Sequence, residues 1–294
     1  MNPLVSIITV NYNQLEQTLE FIKCIKEHDY KELEIIVVDN KSVQSPEIIK
    51  ELYPDVSLVQ SNTNLGFAGG NNLGIKVAKG DMLFFVNNDV YLQKGTIKHL
   101  VEKLQEGTNI GMVSPKIKFY DNPDVIQYAG FNKINKITGR NSAVGSMAFD
   151  HGQYDEGRET HYGHGAAMMV RREAIESAGL MPEVFFLYYE EIDWSNQIKN
   201  KGYKIFYEPK AVVLHKQSLS SGKNSPLKVF YLTRNRILFM KRNVPGYQFI
   251  IFLIHLFLLA VPKNLFAMAI KREVKQMSAF IRALAVIHSS CIKF

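Results

Sequence analysis

The sequence has 294 residues, of which 46% are hydrophobic and 21% are charged. This composition is typical of a globular protein and excludes a disordered, collagen-like or disulfide-stapled chain. The two cysteines, Cys24 and Cys291, form no paired pattern. Two lone thiols indicate a reducing compartment and exclude a cysteine zinc site.

The charge is divided unevenly along the chain. The formal net charge is +7, from 35 Lys and Arg against 28 Asp and Glu. Residues 1–200 carry a net charge of −7, whereas residues 201–294 carry +14 and include two acids, Glu208 and Glu273. An acidic front joined to a basic tail indicates two surfaces with different partners.

The predicted elements begin with short apolar runs that alternate with helical patterns. Apolar runs without alternation are typical of strands that are covered on both faces, as in a parallel sheet. The predicted strands are Leu4–Val10, Leu33–Val38, Val56–Gln60 and Met82–Val86, and the predicted helices between them are Leu15–His28, Pro46–Leu52 and Ala68–Ala78. This order predicts an α/β fold with a mostly parallel central sheet flanked by helices.

Further elements follow with looser spacing. The polar, glycine-containing segment Lys133–Arg158 is predicted to be a mobile loop. Gly202 fits the position just after a helix. Four more strands are predicted at Gly111–Phe119, Ala166–Val170, Tyr203–Tyr207 and Ala211–Leu214, with helices at Arg171–Ala178 and Glu191–Lys201. The remainder of the chain is predicted to be mostly helical.

The tail contains one long apolar run. Phe249–Val261 has 13 residues without a formal charge and is flanked by basic residues on both sides. A membrane-spanning helix needs roughly 20 apolar residues, and this run reaches that length only by including Pro262 and Lys263. We therefore expect an interfacial or shallowly inserted helix at an anionic membrane surface, with a buried core helix or a true span as alternatives.

Polar residues collect at the carboxyl ends of the predicted strands, where ligands bind in open α/β sheets. The first strand ends at Asn11-Tyr12-Asn13, the second at Asp39-Asn40 and the fourth at Asn87-Asn88-Asp89. At each place the alternative is a simple turn, since Asn and Asp start turns. Asp39 is suited to accept hydrogen bonds from a ribose or a base. Asp89 is a hard oxygen ligand for Mg²⁺ or Mn²⁺ shared with phosphate.

The glycine-rich stretch Asn64–Asn72 matches neither the dinucleotide-binding pattern nor the P-loop. Its glycines allow a ligand to approach the backbone closely, and a structural turn explains them equally well. His215 ends an apolar run and is either a structural hydrogen-bonding residue or a second metal ligand. The basic residues that follow it, Lys223, Arg234 and Arg236, are suited to neutralise a diphosphate, or are simply solvated charges.

A cluster of acids lies beside aromatic residues in Tyr188–Trp194. Acids are favoured in the first turn of a helix, so a solvated helix start is one interpretation. The preceding Phe185–Tyr189 is too apolar for a surface loop, however. A carboxylate with such neighbours loses hydration and its pKa rises, which suits a general base.

Taken in order, these motifs resemble the family 2 glycosyltransferases, which are inverting enzymes with a GT-A fold. The resemblance covers about residues 3–240 and is most like the rhamnosyltransferase-like branch. It is carried by Val5–Asn13, Ile35–Asn40, Asn64–Asn72, Phe84–Asp89, Gly165–Arg172 with Gly179, Glu190–Asp193, His215 and Tyr231–Arg236. It implies a GT-A glycosyltransferase domain over residues 1–240, followed by a helical, membrane-associating tail over residues 241–294.

The resemblance also implies roles for the matching residues. Glu191 is the expected catalytic base, with Glu190 beside it and Asp193 in reserve. Asp89 is expected to hold Mg²⁺ or Mn²⁺, assisted by His215. The nucleotide sugar is expected to contact Thr9, Tyr12, Asn13, Asp39, Asn64, Gly66, Asn71, Asn87, Asn88 and Arg234.

Two positions depart from the family pattern. Asn87 replaces the first Asp of the metal motif, which leaves Asp89 and His215 for the cation and weakens the expectation of strict metal dependence. Glu191 stands where the family usually has Asp. Because Glu is one methylene longer, the backbone must lie slightly further back or the acceptor geometry must differ.

The expected function is transfer of a sugar, with inversion, from a dTDP-, UDP- or GDP-linked donor to a glycan or lipid-linked saccharide in cell-surface polysaccharide synthesis. The expected location is the inner face of the cytoplasmic membrane. A non-catalytic, membrane-bound saccharide-binding scaffold is an alternative that the two departures support. A nucleotidyltransferase fits less well, because Asn13–Glu16 replaces the basic, glycine-rich loop expected after its first strand. The tail has no nucleic-acid recognition motif, so no nucleic-acid partner is expected.

Overall fold

The computed structural model describes residues 2–216 and 225–285, and the chain divides into two compact units. The first unit consists of Met1–Asn132, Ala143–Phe186 and Glu190–Gln217, and the second consists of Lys133–Ser142, Leu187–Tyr189 and Ser218–Phe294. Lys223 and Cys291, both named from the sequence, lie outside the described residues.

The first unit is built on one central sheet. Its strands are β1 Val5–Asn11, β2 Leu33–Asp39, β3 Ser57–Gln60, β4 Met82–Val86, β5 Val90–Leu92, β6 Ile110–Phe119, β7 Ile126–Tyr128, β8 Arg158–Glu159, β9 Ala167–Arg171 and β10 Lys204–His215. Its helices are α1 Leu15–Lys26, α2 Ile48–Leu52, α3 Gly66–Val77, α4 Thr96–Gln105, α5 Arg172–Ala178 and α6 Glu190–Asn200. The strand order is β3-β2-β1-β4-β9-β6-β10-β5, with β7 beside β6 and β8 beside β10.

The sheet is mostly parallel, as predicted. Along the main path of the described sheet, β3, β2, β1, β4, β6 and β10 run in one direction. Strand β9 lies antiparallel between β4 and β6, and β5 is antiparallel to β10. The carboxyl ends of six strands therefore lie along the same edge, where the polar residues of the sequence motifs are found.

Two apolar layers cover the faces of this sheet. The adjacent residues Ile7 and Ile8 point to opposite faces and are both fully buried. Ile7 packs in the layer that contains Phe21 of α1, and Ile8 packs in the layer that contains Ile75 of α3. The unalternating apolar strands of the sequence thus arise from helices on both sides, which confirms the predicted fold class.

The structure corrects several predicted elements. Tyr203–Tyr207 and Ala211–Leu214 are not two strands but one, β10, with a shift of register against β6 between Glu208 and Val212. Pro209 lies in this shift, where a missing N–H is tolerated. The amphipathic helix α4 and the short strands β5, β7 and β8 were not predicted.

The segment Lys133–Arg158 forms little regular structure, in agreement with the predicted loop, and its mobility stays a prediction. Within the first unit, Asp150 accepts hydrogen bonds from Lys116 Nζ and lies 3.0 Å from Lys118 Nζ. Within the second unit, a bridge between Asn135 and Arg140 closes a tight turn. Ion pairs from Asp150 to Lys116 and Lys118 of β6 hold part of this segment, and composition alone does not show such long-range contacts.

The second unit is mainly helical. Its helices are α7 Pro226–Asn243, α8 Gly246–His255, α9 Val261–Ile270 and α10 Val274–Ala285, and a π-helical turn at Leu256–Ala260 joins α8 to α9. Helix α7 runs through residue 240, where the sequence predicted a boundary between two domains. That boundary stays a prediction.

The helix Gly246–Ile270 has 25 residues, and the mean hydropathy of its most apolar window is 2.1. Only 11% of that window is buried. Pro262 and Lys263 are included without a break, because the π-helical turn precedes the proline and Pro is tolerated in a first helical turn. Among the described residues this is the one helix that is long and apolar enough to cross a membrane. Whether it spans or lies on the membrane stays a prediction.

Candidate active site

A hydrogen-bonded network joins three strand ends at the carboxyl edge of the sheet. Asn11 at the end of β1 donates from Nδ2 to Asp39 Oδ1 at the end of β2, over 2.7 Å. Asn11 Oδ1 accepts a hydrogen bond from Thr18 Oγ1, which accepts one from Asn88 Nδ2 after β4, both over 2.9 Å. All four side chains are buried. The network therefore connects Asp39 to Asn88 through Asn11 and Thr18, and their predicted contact with a nucleotide sugar stays a prediction.

Polar side chains connect the loop after β1 to the loop after β2. Ser42 donates its backbone N–H to Asp39 Oδ2 over 3.0 Å, and its Oγ accepts from the backbone N–H of Asn13 over 2.9 Å. Asn13 has φ +54° and accepts at Oδ1 from Val43 N–H, so the turn interpretation holds for this residue. Asp39 uses two of about four acceptor positions of a carboxylate, which leaves capacity for a ligand.

Asp89 and His215 form the second part of the site. His215 pairs in antiparallel register with Val90, which directly follows Asp89. His215 Nε2 lies 3.3 Å from Asp89 Oδ1, and among the described residues neither of these buried atoms has a hydrogen-bond partner. His215 Nδ1 donates to Gln127 Oε1 over 2.9 Å. Nε2 is therefore the ring nitrogen that faces the carboxylate oxygen.

This geometry fits a divalent cation. Each buried polar atom without a hydrogen-bond partner costs about 1–3 kcal/mol, and this pair contains two such atoms. A cation would satisfy both atoms, and metal-binding histidines are commonly oriented through their other ring nitrogen, as Gln127 orients His215. The described ranges contain no group of three His, Cys, Asp or Glu residues that fits a metal. The remaining ligands would come from phosphate and water, an arrangement typical of Mg²⁺ sites.

The glycine-rich stretch forms the start of helix α3. Gly66 has φ +70°, and a Cβ at this position would lie 2.1 Å from the carbonyl oxygen of Phe186. Phe67 N–H donates to the same oxygen over 2.7 Å. Glycine is therefore required for backbone geometry and close approach, whether or not a ligand also binds there.

The asparagines of this stretch also have local partners. Asn64 Oδ1 accepts from Gly66 N–H over 2.9 Å and from Asn40 Nδ2 over 3.1 Å. Asn71 is buried and donates to the carbonyl of Phe67 one turn earlier in α3. These contacts support the structural alternative at Asn64 and Asn71, and their predicted contact with a nucleotide sugar stays a prediction.

The backbone that leads into helix α6 is strained. Phe186, Tyr188 and Tyr189 have φ values of +65°, +69° and +78°, a region that non-glycine residues rarely adopt. Each such residue costs about 1–3 kcal/mol, and residues of this kind cluster at functional sites. Glu190, the first residue of α6, follows directly.

Glu191 is connected to the metal motif through Gly163–Ala166. A Cβ at Gly165 would lie 3.8 Å from both Cγ and Cδ of Glu191, so the carboxylate side chain passes beside this glycine. Ser195 Oγ donates to the carbonyl of Glu191 and accepts from Gly163 N–H. The carbonyl of Ala166 accepts from Asn87 N–H over 3.0 Å. This segment therefore links the first turn of α6 to the strand end that carries Asp89.

The three acids of the cluster differ in exposure. Glu190 and Asp193 are buried, whereas Glu191 is half-buried. Asp193 Oδ2 accepts from Gln197 Nε2 over 2.8 Å within the same helix. Glu191 is therefore the acid of this cluster that is most open to an approaching hydroxyl group.

The remaining predicted residues fall in different surroundings. Thr9 is fully buried in β1, and its Oγ1 has no hydrogen-bond partner in the part of the chain that the structure describes. Tyr12 is 43% exposed and Asn87 is half-buried. Arg234 belongs to the second unit, where its guanidinium carbon lies 4.8 Å from the ring centroid of Tyr231. The nucleotide-binding role of Arg234 stays a prediction.

Sequence reasoning missed three residues that support the site. Thr18 is a polar residue on the buried face of α1, and a polar residue in an apolar stripe was a usable signal. Gln127 lies in no motif. His164 stacks on Phe131 at 5.6 Å, and burial, followed by the charge of His215, lowers its pKa to about 3. The roles of Gln127 and His164 depend on contacts between segments that are distant in the sequence, and no local sequence pattern indicates them.

Comparisons of the sequence identify a protein family and relatives that this chain resembles. The model of the family described as glycosyl transferase family 2 matches residues 6–179. A low-salt glycan biosynthesis hexosyltransferase, Agl10 of Haloferax volcanii, is 26% identical over 242 residues, which cover 79% of this chain and 74% of that protein. An N-acetylglucosaminyl-diphospho-decaprenol L-rhamnosyltransferase of Mycobacterium tuberculosis is 22% identical over 247 residues, 76% of this chain and 80% of that protein.

Solved structures show the same fold. GalNAc-T7 with UDP, GalNAc and Mn²⁺ superposes with a TM-score of 0.67 at 16% identity, over 81% of this chain and 48% of that one. The mannosyltransferase PcManGT from Pyrobaculum calidifontis, in complex with GDP-Man and Mn²⁺, has a TM-score of 0.60 at 18% identity, over 99% of this chain and 77% of that one. This chain thus spans about half of the first structure and most of the second.

Proposed function

The chain belongs to glycosyl transferase family 2, and we propose that it transfers a sugar from a nucleotide-diphosphate donor to a saccharide hydroxyl with inversion at the anomeric carbon. The observation that carries the proposal is the Asp89–His215 pair, whose buried, unpartnered Oδ1 and Nε2 atoms lie 3.3 Å apart at the carboxyl edge of the sheet. That arrangement suits a cation bound with a diphosphate.

The donor is proposed to be a dTDP-, UDP- or GDP-linked sugar. Solved structures with this fold contain UDP or GDP-Man, each with Mn²⁺. Asp39 has free acceptor capacity for a ribose or a base, and it is fixed by Asn11 and Ser42 in one orientation. Thr9 offers a buried hydroxyl near the same strand ends.

Asp89 and His215 would hold a Mg²⁺ or Mn²⁺ ion beside the diphosphate. When bound, such an ion offsets the negative charge that develops on the departing diphosphate. Gln127 Oε1 accepts a hydrogen bond from His215 Nδ1, which orients the ring so that Nε2 faces Asp89. Asp89 is kept in place by the backbone, because its carbonyl accepts from Lys216 N–H over 2.9 Å.

Glu191 is the proposed general base. Its carboxylate takes the proton of the acceptor hydroxyl as that oxygen forms a bond to the anomeric carbon, and the bond from this carbon to the diphosphate oxygen breaks in the same step. One displacement gives one inversion. The contact with Gly165 lets the longer Glu side chain lie against the backbone at a position where the family usually has Asp.

The acceptor is proposed to be a glycan or lipid-linked saccharide in cell-surface polysaccharide synthesis, at the inner face of the cytoplasmic membrane. One relative is named for a diphospho-decaprenol substrate and another for glycan biosynthesis. The helix Gly246–Ile270 supports the membrane location, since Leu258 and Phe266 are each 70% exposed. Replacing both by Glu should reduce co-flotation with anionic vesicles, and unchanged flotation would contradict this location.

The reaction class is tested with a panel of sugar nucleotides, with and without divalent cation. Release of a nucleoside diphosphate that requires cation is expected from the wild type and from Glu176→Gln, a control at an exposed acid on α5. Release of pyrophosphate would indicate a nucleotidyltransferase. Saturable binding without turnover on any saccharide or lipid-linked acceptor would indicate a scaffold.

A further inference from the structure

The second unit contains a cavity of about 390 Å³ that the proposed chemistry does not use. Residues of α7, α9 and α10 line it together with the turn that contains Arg140. Its polar lining residues are Arg140, Asn141, Thr233 and Arg236, and its apolar lining residues include Met268 and Phe280.

Arg236 is the central residue of this cavity. It is 6% exposed, and its Nε has no hydrogen-bond partner among the described residues. Neither Arg236 nor Arg140 forms an ion pair with a carboxylate in residues 2–216 and 225–285. The second unit contains one acid in its sequence, Glu273, and that residue does not line the cavity.

Two cations therefore share a pocket without a counter-charge. Burial lowers the pKa of Arg236, the nearby Tyr189 counteracts this shift, and the charge of Arg140 adds to it. Arginine nevertheless keeps its proton in proteins, and an unpaired buried charge is costly. The amide Nδ2 of Asn141 is a second buried donor in this pocket without a partner in the described chain, whereas Arg140 is exposed. The pocket presents donors and positive charge, which is the chemistry that binds phosphate.

The apolar side of the cavity narrows the ligand class. Asn264 and Met268 belong to the helix Gly246–Ile270, whose outer surface exposes Leu258, Leu259 and Phe266 by 62–70%. A ligand with a phosphate at one end and a hydrocarbon chain at the other would contact both the polar and the apolar lining residues. A free nucleotide or inorganic phosphate uses only the basic side.

We propose that this cavity binds the phosphate or diphosphate group of a lipid-linked saccharide. Arg236 and Arg140 contact the phosphate, and the hydrocarbon chain contacts the apolar lining residues such as Met268 and Phe280. The proposal rests on the proposed function insofar as this lipid is the sugar acceptor. It assigns a role to Arg236 of the Tyr231–Arg236 motif, while Asn235 fixes the Leu187–Tyr189 segment through hydrogen bonds to the carbonyls of Leu187 and Tyr188.

The test is calorimetric titration of the full chain in neutral detergent, with farnesyl diphosphate, inorganic pyrophosphate, farnesol and dihexanoyl phosphatidylglycerol as separate probes. Farnesyl diphosphate should bind most tightly, and both Arg236→Gln and Arg140→Gln should weaken it about 10-fold, as expected for a lost charged hydrogen bond. Arg282→Gln is the matched control, because Arg282 is exposed on α10 and removes the same charge. It should change binding less than 2-fold.

Three results would overturn the proposal. Equal loss in Arg282→Gln would show general attraction to a basic surface. Pyrophosphate binding as tightly as farnesyl diphosphate would show a site for soluble phosphate. Arginine-dependent binding of phosphatidylglycerol with equal affinity would show a membrane headgroup site.

A second measurement separates a binding role from a structural one. Without lipid, Arg236→Gln should leave the Tm unchanged or raise it, since it removes an unpaired buried charge. With farnesyl diphosphate, the Tm of the wild type should rise and that of the variant should not. A lower Tm of the variant by the same amount with and without lipid would overturn the binding role.

These titrations need neither a donor nor turnover. If the chain releases no nucleoside diphosphate but binds farnesyl diphosphate through Arg236 and Arg140, the proposed reaction fails and the lipid phosphate site stands. If transfer is active while the arginine variants bind normally, the reaction stands and this site fails. In an active enzyme, Arg236→Gln should raise the KM for a lipid-linked acceptor and leave the KM for the donor unchanged.

Discussion

The two units solve opposite electrostatic problems. In the first, Asn11, Thr18, Asp39 and Asn88 satisfy one another at the sheet edge, and the two unpartnered atoms of Asp89 and His215 can share one cation. In the second, Arg140 and Arg236 have no carboxylate to pair with among the described residues. The site in the first unit is therefore suited to bind a cation, and the site in the second unit is suited to bind an anion. The net charge of +7 hides this division.

The largest expected effect concerns Glu191. Glu191→Gln removes the general base and should lower kcat by about 10²–10⁴-fold, measured as release of nucleoside diphosphate in the presence of acceptor. Glu191→Asp restores the residue that the family usually carries and should retain more activity than the Gln variant. Glu176→Gln is the control for loss of an exposed acid. Near-native turnover of Glu191→Gln would remove Glu191 from the mechanism.

The next effect tests the backbone that connects α3 to the loop before α6. Gly66→Ala places a Cβ 2.1 Å from the carbonyl oxygen of Phe186 at φ +70°, and should lower the free energy of unfolding by about 3–5 kcal/mol. Gly202→Ala is the matched control, since Gly202 has φ +89° and open space around it. It should cost about 1–2 kcal/mol from the backbone conformation alone. Equal losses would show that the close approach is absent.

A smaller effect tests the network of the first unit. Thr18→Val keeps the shape of the side chain but leaves Asn11 Oδ1 and Asn88 Nδ2 without their shared partner, and should lower the free energy of unfolding by about 1–3 kcal/mol. Urea unfolding is followed by fluorescence of Trp194, the one tryptophan of the sequence, which is buried in the first unit. Thr63→Val at an exposed position should change nothing. The contrast with Arg236→Gln, which should not destabilise the lipid-free protein, sharpens the comparison of the two units.

A different kind of effect is a pH dependence from His164. Burial lowers its pKa from 6.5 to about 3, so between these pH values the unfolded state binds a proton that the folded state does not. The free energy of unfolding should therefore fall as the pH decreases from 6.5 toward 3. His164→Asn should reduce this slope relative to the wild type. An unchanged slope would show that other groups cause the acid sensitivity.

The sequence predicted the fold well because its signals were local. The unalternating apolar runs of β1, β2 and β4 predict strands that are covered on both faces. The Asn and Asp residues after these strands predict a ligand-binding site at the carboxyl edge of the sheet. It also named Asp89 and His215 as metal ligands, first from their positions at strand ends and then from the family resemblance. The sequence did not predict the tertiary contacts. The register shift that joins β10 depends on pairing with β6, and part of Lys133–Arg158 is held by Lys116 and by a distant bridge.

The cavity in the second unit shows the same limit. In the sequence, Arg236 is one of several basic residues after His215, and Arg140 lies in a segment that is predicted to be a loop. The two lie about 96 positions apart in the sequence, and nothing in the local pattern of either residue indicates that they line one pocket. Only the fold shows that their charges are close and lack a carboxylate partner in the described chain.

The most direct measurement of the central claim is binding of Mn²⁺ by electron paramagnetic resonance, with UDP, GDP or dTDP added in turn. It needs neither the donor sugar nor the acceptor. The wild type and Glu176→Gln should bind Mn²⁺ together with at least one of these nucleotides, Asp89→Asn should abolish that binding, and His215→Asn should weaken it at least 10-fold. Binding of Mn²⁺ and nucleotide by Asp89→Asn with wild-type affinity would contradict the assignment of the cation site.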